Sequence, residues 1–284
     1  MKGFAFMMGF IVTIIILITT GVYVASVYSF KYMPSCFCST FNDSEEKITT
    51  YPFDNAGKLL VTNSNGSVTI TSHKHNMIIL KEIKKGNKKD FDLIKTNIIA
   101  LPDSFSITTV PDKKVINAKI SYELTVPATT ILQNIRTSNG QISIEGINGS
   151  IKTTTSNGAI QLTEINGIID AQTSNGPIVV ENCPHISTLK TSNGSIKIQS
   201  QKMGSVAQET TITTSNGAID FTCNEFNEPN QFRLSTSNGA ILVTLPEKPT
   251  NYQSNDHLMG KRATFTCGKA TFIAQTNRGS LTIK

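Results

Sequence analysis

The chain of 284 residues is long enough for one or two domains with a hydrophobic core. It has no tryptophan, only 16% of its residues are charged, and Ile, Thr, Ser, Asn and Gly are frequent, which favours strands and tight turns over helices. The net charge of +6 would permit an anionic partner but is spread too widely to indicate one, and no nucleic-acid partner is expected.

The N-terminal segment is apolar. Residues 3–30 carry no charge at neutral pH, and residues 10–18 are almost continuously Ile, Val and Leu. Because a helix of roughly 20 apolar residues crosses a bilayer, residues 1–31 are predicted to form a transmembrane helix that contacts the membrane through residues 4–30. The alternative is a signal peptide cleaved near Val24-Ala25-Ser26, which would release a secreted body.

The charges on either side of this segment indicate its orientation. Lys2 and the α-amino group precede it, Lys31 follows it, and the next segment is acidic through Asp43, Glu45 and Glu46. Since basic residues favour the cytoplasmic side, we expect a single-pass membrane protein with a cytoplasmic N-terminus and an extracytoplasmic body.

Residues 32–57 hold two prolines, serines and acidic residues, and they are predicted to form a linker or cap. Cys36 and Cys38 lie in this segment, where a local disulfide, lipidation and no special role all remain open.

Residues 58–135 alternate as strands do but have a weak period, and they are predicted to form irregular first coils. The predicted strands are residues 59–62, 67–72, 77–83, 104–110 and 118–127. A basic cluster surrounds Gly86-Asn87 and consists of Lys81, Lys84, Lys85, Lys88 and Lys89. We interpret the cluster as the two charged strand ends of a solvated hairpin, with a dedicated anion site as the alternative.

The rest of the chain is repetitive. Thr-Ser-Asn-Gly begins at residues 137, 155, 173, 191, 214 and 236, so the first intervals are 18 residues long. Ile-Asn-Gly lies halfway, at 147–149 and 165–167, which makes the unit 9 residues. Regular coils are predicted over 136–200 and looser coils over 201–284. Asn-Gly is a strong turn signal because both residues tolerate positive φ. The predicted structural turns are Asn139, Gly140, Asn148, Gly149, Asn157, Gly158, Asn166, Gly167, Asn175, Gly176, Asn193, Gly194, Asn216, Gly217, Asn238 and Gly239.

The residues after each turn alternate with period two, so one face points inward. At 18-residue spacing, Ile142, Ile160, Ile178 and Ile196 fall on one inward ladder, and Ile144, Leu162, Val180 and Ile198 on a second. A meander of hairpins is the alternative, but identical ladders need identical side chains stacked in parallel. The fold class is therefore predicted to be all-β, a right-handed β-solenoid (single-stranded β-helix). Stacked Asn139, Asn157, Asn175 and Asn193 could pair their amides along its axis.

Residues that could carry chemistry are scattered. The outward positions that follow the turns include a single carboxylate, Asp220. Glu145, Glu164 and Glu181 could be neighbours at a corner, where a solvated edge is the simpler interpretation. His73 and His75 share a strand face but have no visible third ligand for a metal. No catalytic residue, cofactor or metal site is predicted.

Cys183, Cys223 and Cys267 are expected to pack as small core residues. Consecutive pairs are separated by about two coils, roughly 9.5 Å at the strand spacing, which is beyond the reach of a disulfide. The last strand, residues 280–283, has no cap after it, so we expect a second protomer to cover the C-terminal end of the solenoid.

Leu124-Thr125-Val126-Pro127, the sequence Ile135-Arg136-Thr137-Ser138-Asn139-Gly140 and the recurring Thr-Ser-Asn-Gly resemble the bacterial putative-adhesin domain family of unknown function. The resemblance covers residues 58–284 and implies a β-helical envelope protein, some relatives of which accompany membrane-stress regulators. The matching residues are turn and core positions, so the resemblance brings no catalytic residue.

Three function classes follow. The first is a membrane-anchored, non-enzymatic envelope protein whose adhesin-like solenoid contacts a surface, a polysaccharide or a protein. The second is a structural or envelope-stress sensory scaffold. The third, a polysaccharide-degrading β-helix enzyme, is disfavoured because such enzymes concentrate carboxylates on one coil face.

Overall fold

The computed structural model describes residues 28–30, 43–111, 118–204, 209–257 and 260–284. Within these residues the regular secondary structure is almost entirely strand, arranged as two 12-stranded sheets that stack their strands along a common axis. One strand from each sheet makes up each regular coil. The predicted β-solenoid is therefore confirmed.

The first sheet has the strand order β1-β2-β5-β8-β4-β10-β12-β14-β16-β18-β20-β24. Its strands are β1 (Tyr28–Phe30), β2 (Asp43–Pro52), β4 (Val68–His73), β5 (Met77–Gly86), β8 (Ala118–Pro127), β10 (Ile142–Glu145), β12 (Ile160–Thr163), β14 (Ile178–Glu181), β16 (Ile196–Ser200), β18 (Ile219–Cys223), β20 (Ile241–Thr244) and β24 (Leu281–Ile283).

The second sheet has the strand order β21-β22-β23-β19-β17-β15-β13-β11-β9-β3-β7-β6. Its strands are β3 (Lys58–Thr62), β6 (Ile94–Leu101), β7 (Ser104–Pro111), β9 (Ile131–Thr137), β11 (Ile151–Thr155), β13 (Ile169–Thr173), β15 (Ile186–Thr191), β17 (Thr210–Thr214), β19 (Asn230–Asn238), β21 (Thr250–His257), β22 (Gly260–Cys267) and β23 (Ala270–Arg278).

The regular coils stack in parallel register. Ile142 pairs with Ile160, Ile160 with Ile178, and Ile178 with Ile196, as the 18-residue period predicts. All four side chains are completely buried. Because a meander would pair successive strands antiparallel, this register excludes it over the regular coils.

Apolar side chains also fill the side of the solenoid where the chain passes from the first-sheet strand to the second-sheet strand of each coil. Ile147, Ile165, Cys183 and Met203 occupy this side in successive coils, and each is fully buried. The two sheets and this column together enclose one continuous core.

The irregular coils are not stacked in chain order. β4 lies between β8 and β10, and β3 lies between β7 and β9. The chain thus places β5 to β8 on the N-terminal side of the first coil and then returns to continue with β9. The sequence repeat could not predict this strand order because the segment from β5 to β8 has no Asn-Gly turn.

Antiparallel strands close the N-terminal end. β5 pairs antiparallel with β8 and β2, and β6 pairs antiparallel with β7. The predicted hairpin around Gly86-Asn87 is wrong, because a 3₁₀-helix (Lys88–Leu93) carries the chain from β5 in the first sheet to β6 in the second. Phe91 of this helix is buried, and the Lys84 ammonium donates to its carbonyl oxygen at 2.9 Å.

Antiparallel strands also extend the second sheet at the C-terminal end. The hairpin of β21 and β22 is added antiparallel beside β23, while the first sheet ends at β24, which pairs in parallel with β20. Phe232, Phe272 and Phe265 stack there from strand to strand, with ring centroids 4.8 and 4.9 Å apart.

Most of the predicted anchor, residues 1–27, lies outside the described residues, as do Cys36 and Cys38. Its last part, Tyr28–Phe30, is a strand that pairs antiparallel with β2. In the part of the chain that the structure describes, no helix is long and apolar enough to span a bilayer.

Candidate functional site

The threonine of each Thr-Ser-Asn-Gly points into the solenoid and forms a ladder. In one rung, the buried Thr155 hydroxyl donates to the carbonyl oxygen of Gly140 in the preceding coil at 3.1 Å. The same bond, at 2.9–3.0 Å, joins Thr137 to Gly66, Thr173 to Gly158, Thr191 to Gly176, Thr214 to Gly194, Thr236 to Gly217 and Thr276 to Gly239. The threonine hydroxyls therefore join successive coils from inside the solenoid.

The asparagines of the same turns form a second, exposed ladder. Asn157 Nδ2 donates to Asn139 Oδ1 at 2.8 Å, and the pattern continues through Asn175, Asn193, Asn216 and Asn238. Asn139 in turn donates to Asn65 at 2.6 Å. Every bond has the same direction, so the expected amide pairing is present and extends from Asn238 to Asn65.

These turns require glycine because the backbones of neighbouring coils lie very close together there, and not because φ is positive. A Cβ on Gly158 would lie 1.9 Å from the carbonyl oxygen of Gly140, and Gly176, Gly194 and Gly217 are equally tight against the preceding glycine. Within this series only Gly66 has a φ in the left-handed range, at 128°. The prediction that positive φ explains the repeated glycines is wrong, because stacked backbones leave no room for a side chain.

The left-handed turns lie on the other side of the coil. Gly146, Glu164 and Asn182 occupy equivalent places in three successive coils, with φ of 73°, 55° and 53°. Glu145, Glu164 and Glu181, which could have been neighbours at a corner, therefore do not stack in one column. Glu145 and Glu181 share a column with Thr163 between them, and Glu164 follows Thr163 in the turn.

His73 uses both ring nitrogens in local hydrogen bonds. Nδ1 accepts from the backbone N–H of His75 at 2.9 Å, and Nε2 lies 3.0 Å from the Met77 carbonyl oxygen. The two imidazole centroids are 5.5 Å apart. Among the described residues, no group of three or more His, Cys, Asp and Glu could hold a metal ion.

The cysteines behave as core residues. Cys183, Cys223 and Cys267 are buried free thiols, which confirms their predicted packing. Burial raises the pKa of both the Cys183 and the Cys223 thiol to about 11, so neither is a nucleophile at neutral pH.

A polar groove of about 800 Å³ opens at the N-terminal end, where the strand ends of β2, β5 and β8 meet the head of the asparagine ladder. Asp43, Ser44, Glu46, Asn65, Lys85 and Lys119 are among its lining residues. We call it the N-terminal groove. The basic cluster in the sequence contains Lys85, but Lys119 lies 34 residues further along the chain and only strand pairing brings the two together.

A network of buried polar side chains lies inside the solenoid beneath the groove and holds the backbone beside Lys119. Asn63 replaces the repeat threonine, and its Nδ2 donates to the carbonyl oxygen of Ile120 at 2.8 Å, directly after Lys119. The Thr109 hydroxyl donates to Asn63 Oδ1 at 3.0 Å and bonds with the Tyr122 hydroxyl at 2.6 Å. Burial raises the pKa of Tyr122, so this hydroxyl stays protonated and available as a donor.

The chain is similar over most of its length to several solved structures. The chain is similar to a putative adhesin from Bacteroides fragilis (17% identity, TM-score 0.37), with 84% of this chain and 96% of that chain covered. It is also similar to a putative adhesin from Parabacteroides merdae (10%, 0.44) and to a putative lipid binding protein from Parabacteroides distasonis (8%, 0.42), with the same coverage for each. No protein-family model and no curated protein sequence matches the chain.

Proposed function

We propose that this chain is a membrane-anchored, non-enzymatic envelope protein. Its right-handed solenoid contacts a polysaccharide or protein partner, and its N-terminal segment holds it in the membrane with the body outside the cytoplasm.

The observation that supports a binding role is the way the repeat uses its polar groups. Threonine hydroxyls and turn asparagines bond to the neighbouring coil, so the repeat forms a rigid body and contributes no reactive group. The carboxylates Glu145 and Glu181 are held two strands apart on the outer face. Because general acid–base chemistry needs positioned titratable groups that converge on a substrate, this arrangement suits recognition better than catalysis.

The shape suits an anchored body. Twelve strands at a spacing of roughly 4.8 Å give the first sheet a length of about 50 Å. The N-terminal segment leads into β1 and β2, which lie at the N-terminal end of this sheet, and the β21–β22 hairpin, with Tyr252 exposed, lies at the C-terminal end of the second sheet. An anchor at the first end would direct the second away from the bilayer.

The full chain in non-ionic detergent micelles should be applied to an array of bacterial polysaccharides, with empty micelles and heat-denatured chain as controls. Saturable binding that needs the native fold is expected, with no release of new reducing ends. Depolymerisation of any bound polysaccharide by the native chain would overturn the non-enzymatic assignment, and absence of binding to every polysaccharide would leave only the protein-partner form of the proposal.

Anchoring has its own test. Alkaline carbonate washing should leave the intact chain in the membrane fraction, and protease added to spheroplasts should degrade the solenoid. A chain that appears in the medium without its first 20–30 residues would instead establish the secreted form.

A further inference from the structure

We propose that the N-terminal groove binds the carboxylate groups of an acidic polysaccharide. This inference rests on the proposed binding function and assigns it a ligand class and a site.

Two lysines face each other in the groove. Lys85 of β5 and Lys119 of β8 are direct cross-strand partners, and both side chains are exposed on the outer face. Neither forms an ion pair with a carboxylate of the described residues, although Lys81 on the same face bridges Glu46 and Glu123. Because like charges directly opposite each other destabilise a sheet, an unrelieved pair at this place indicates a binding site for an anion.

The acidic residues of the groove are already engaged. Asp43 Oδ2 accepts a hydrogen bond from the Lys88 backbone N–H at 3.3 Å, and Glu46 pairs with Lys81 at 3.3 Å. Beside these carboxylates the groove offers a ligand four donor groups: the two ammonium groups, the Ser44 hydroxyl beside Lys85, and the Asn65 amide.

The asparagine ladder adds to this donor character. Each Nδ2 donates toward the N-terminal end, so six hydrogen bonds join seven amides in a chain that ends at Asn65, whose own Nδ2 has no partner among the described residues. Hydrogen-bond chains polarise along their length. The N–H end of this chain therefore points toward the lysine pair, and its polarity also favours a negative ligand.

The form of the groove favours a polymer of sugars over a bilayer. Ser44, Lys85, Lys119 and Asn65 lie on neighbouring backbone segments, spaced by roughly 4.8 Å. This row suits a chain that carries a carboxylate on each ring. The open groove, with a volume of about 800 Å³, has room for sugar rings.

The test uses the full chain in non-ionic micelles and titrates it with polygalacturonate by calorimetry at low salt. The double variant Lys85→Gln/Lys119→Gln should weaken binding by about tenfold or more, since two charge-assisted contacts are lost. Lys152→Gln/Lys190→Gln removes the same charge from exposed lysines of the second sheet and should bind as the wild type does. Neutral dextran should not bind.

Equal weakening by both double variants would overturn the proposal, because the effect would then come from net charge alone. Binding to phosphatidylglycerol vesicles without binding to polygalacturonate would also overturn it, since the anion would then be a lipid headgroup. If wild type and groove variant bind the same polysaccharides on the array equally well, the site assignment fails while the proposed function stands.

Discussion

The Thr155 hydroxyl and the Gly140 carbonyl oxygen, 15 residues apart, are joined by a 3.1 Å hydrogen bond between stacked coils. Thr155→Val keeps the shape of the side chain and leaves this inner carbonyl without its donor, which should cost about 1–3 kcal/mol. Thr154→Val, on the adjacent outward position, is the matched control and should change stability by about 0.5 kcal/mol or less. Thermal unfolding of the full chain in micelles measures both, and equal midpoints for the two variants would contradict the role of the threonine ladder.

Gly158→Ala should be among the most damaging single changes in the regular coils. Its Cβ would lie 1.9 Å from the Gly140 carbonyl oxygen, so the stacked backbones must separate, at an expected cost of about 3 kcal/mol. Ala159→Ser, one residue later, should be neutral because that position faces outward. The readout is the hydrogen-exchange protection of the backbone amides of β12. Unchanged protection in Gly158→Ala would show that the stacked coils accommodate the added Cβ at no cost, and would contradict the prediction.

Glu164 and Gly146 should respond in opposite directions to substitution. Glu164 has a φ of 55°, so Glu164→Gly relieves left-handed strain of about 1–2 kcal/mol against a smaller entropy cost, and should raise the unfolding midpoint. Gly146→Ala introduces a Cβ at the equivalent place, where φ is 73°, and should lower it. The expectation fails if both substitutions shift the midpoint in the same direction.

Because the Cys183 and Cys223 thiols are buried, we expect the folded protein to lose stability at high pH. Burial raises the pKa of Cys183 and Cys223 from 9.0 to about 11, so the folded state holds protons that the unfolded state has lost. The contribution of the two protonated thiols to the free energy of unfolding is complete below pH 9 and is lost as the pH rises through 11. The free energy of unfolding, measured from pH 8 to 11, should therefore fall more steeply in the wild type than in Cys183→Ala/Cys223→Ala. This variant is the control for lysine titration because it keeps every lysine. Parallel curves would refute this.

The same thiols can be probed by alkylation. In a Cys36→Ser/Cys38→Ser background, iodoacetamide at pH 8 should leave Cys183 and Cys223 unmodified in the folded chain and modify them in urea. Site-resolved mass spectrometry distinguishes the two sites. Rapid labelling of the native chain would mean that these coils open readily.

Most of the regular solenoid could be predicted from the sequence because its period is a direct record of the stacking. A side chain such as Ile160 recurs as Ile178 in the next coil, since both fill the same place in the core. The N-terminal coils could not be predicted in this way. Their strands are stacked out of chain order, and the basic segment around Gly86 leads into a 3₁₀-helix and not back through a hairpin.

The candidate site lay almost entirely beyond sequence reasoning. Lys85 stood in a visible basic cluster, but its partner Lys119 carries no local signal, and their opposition depends on the register of β5 with β8. The role of the turn residues shows the same limit. The spacing of Asn-Gly identifies a turn, whereas the need for Gly158 comes from the carbonyl oxygen of Gly140 above it.

By itself, the sequence determined the parallel ladders, the inward faces and the burial of Cys183 and Cys223, because alternation and an 18-residue period are local properties of the chain. The tertiary structure decided what the polar residues do. Whether a threonine lies inside, an asparagine donates toward Asn65, or two lysines meet in a groove depends on which strands become neighbours, and contacts between strands far apart in the chain leave no period to read.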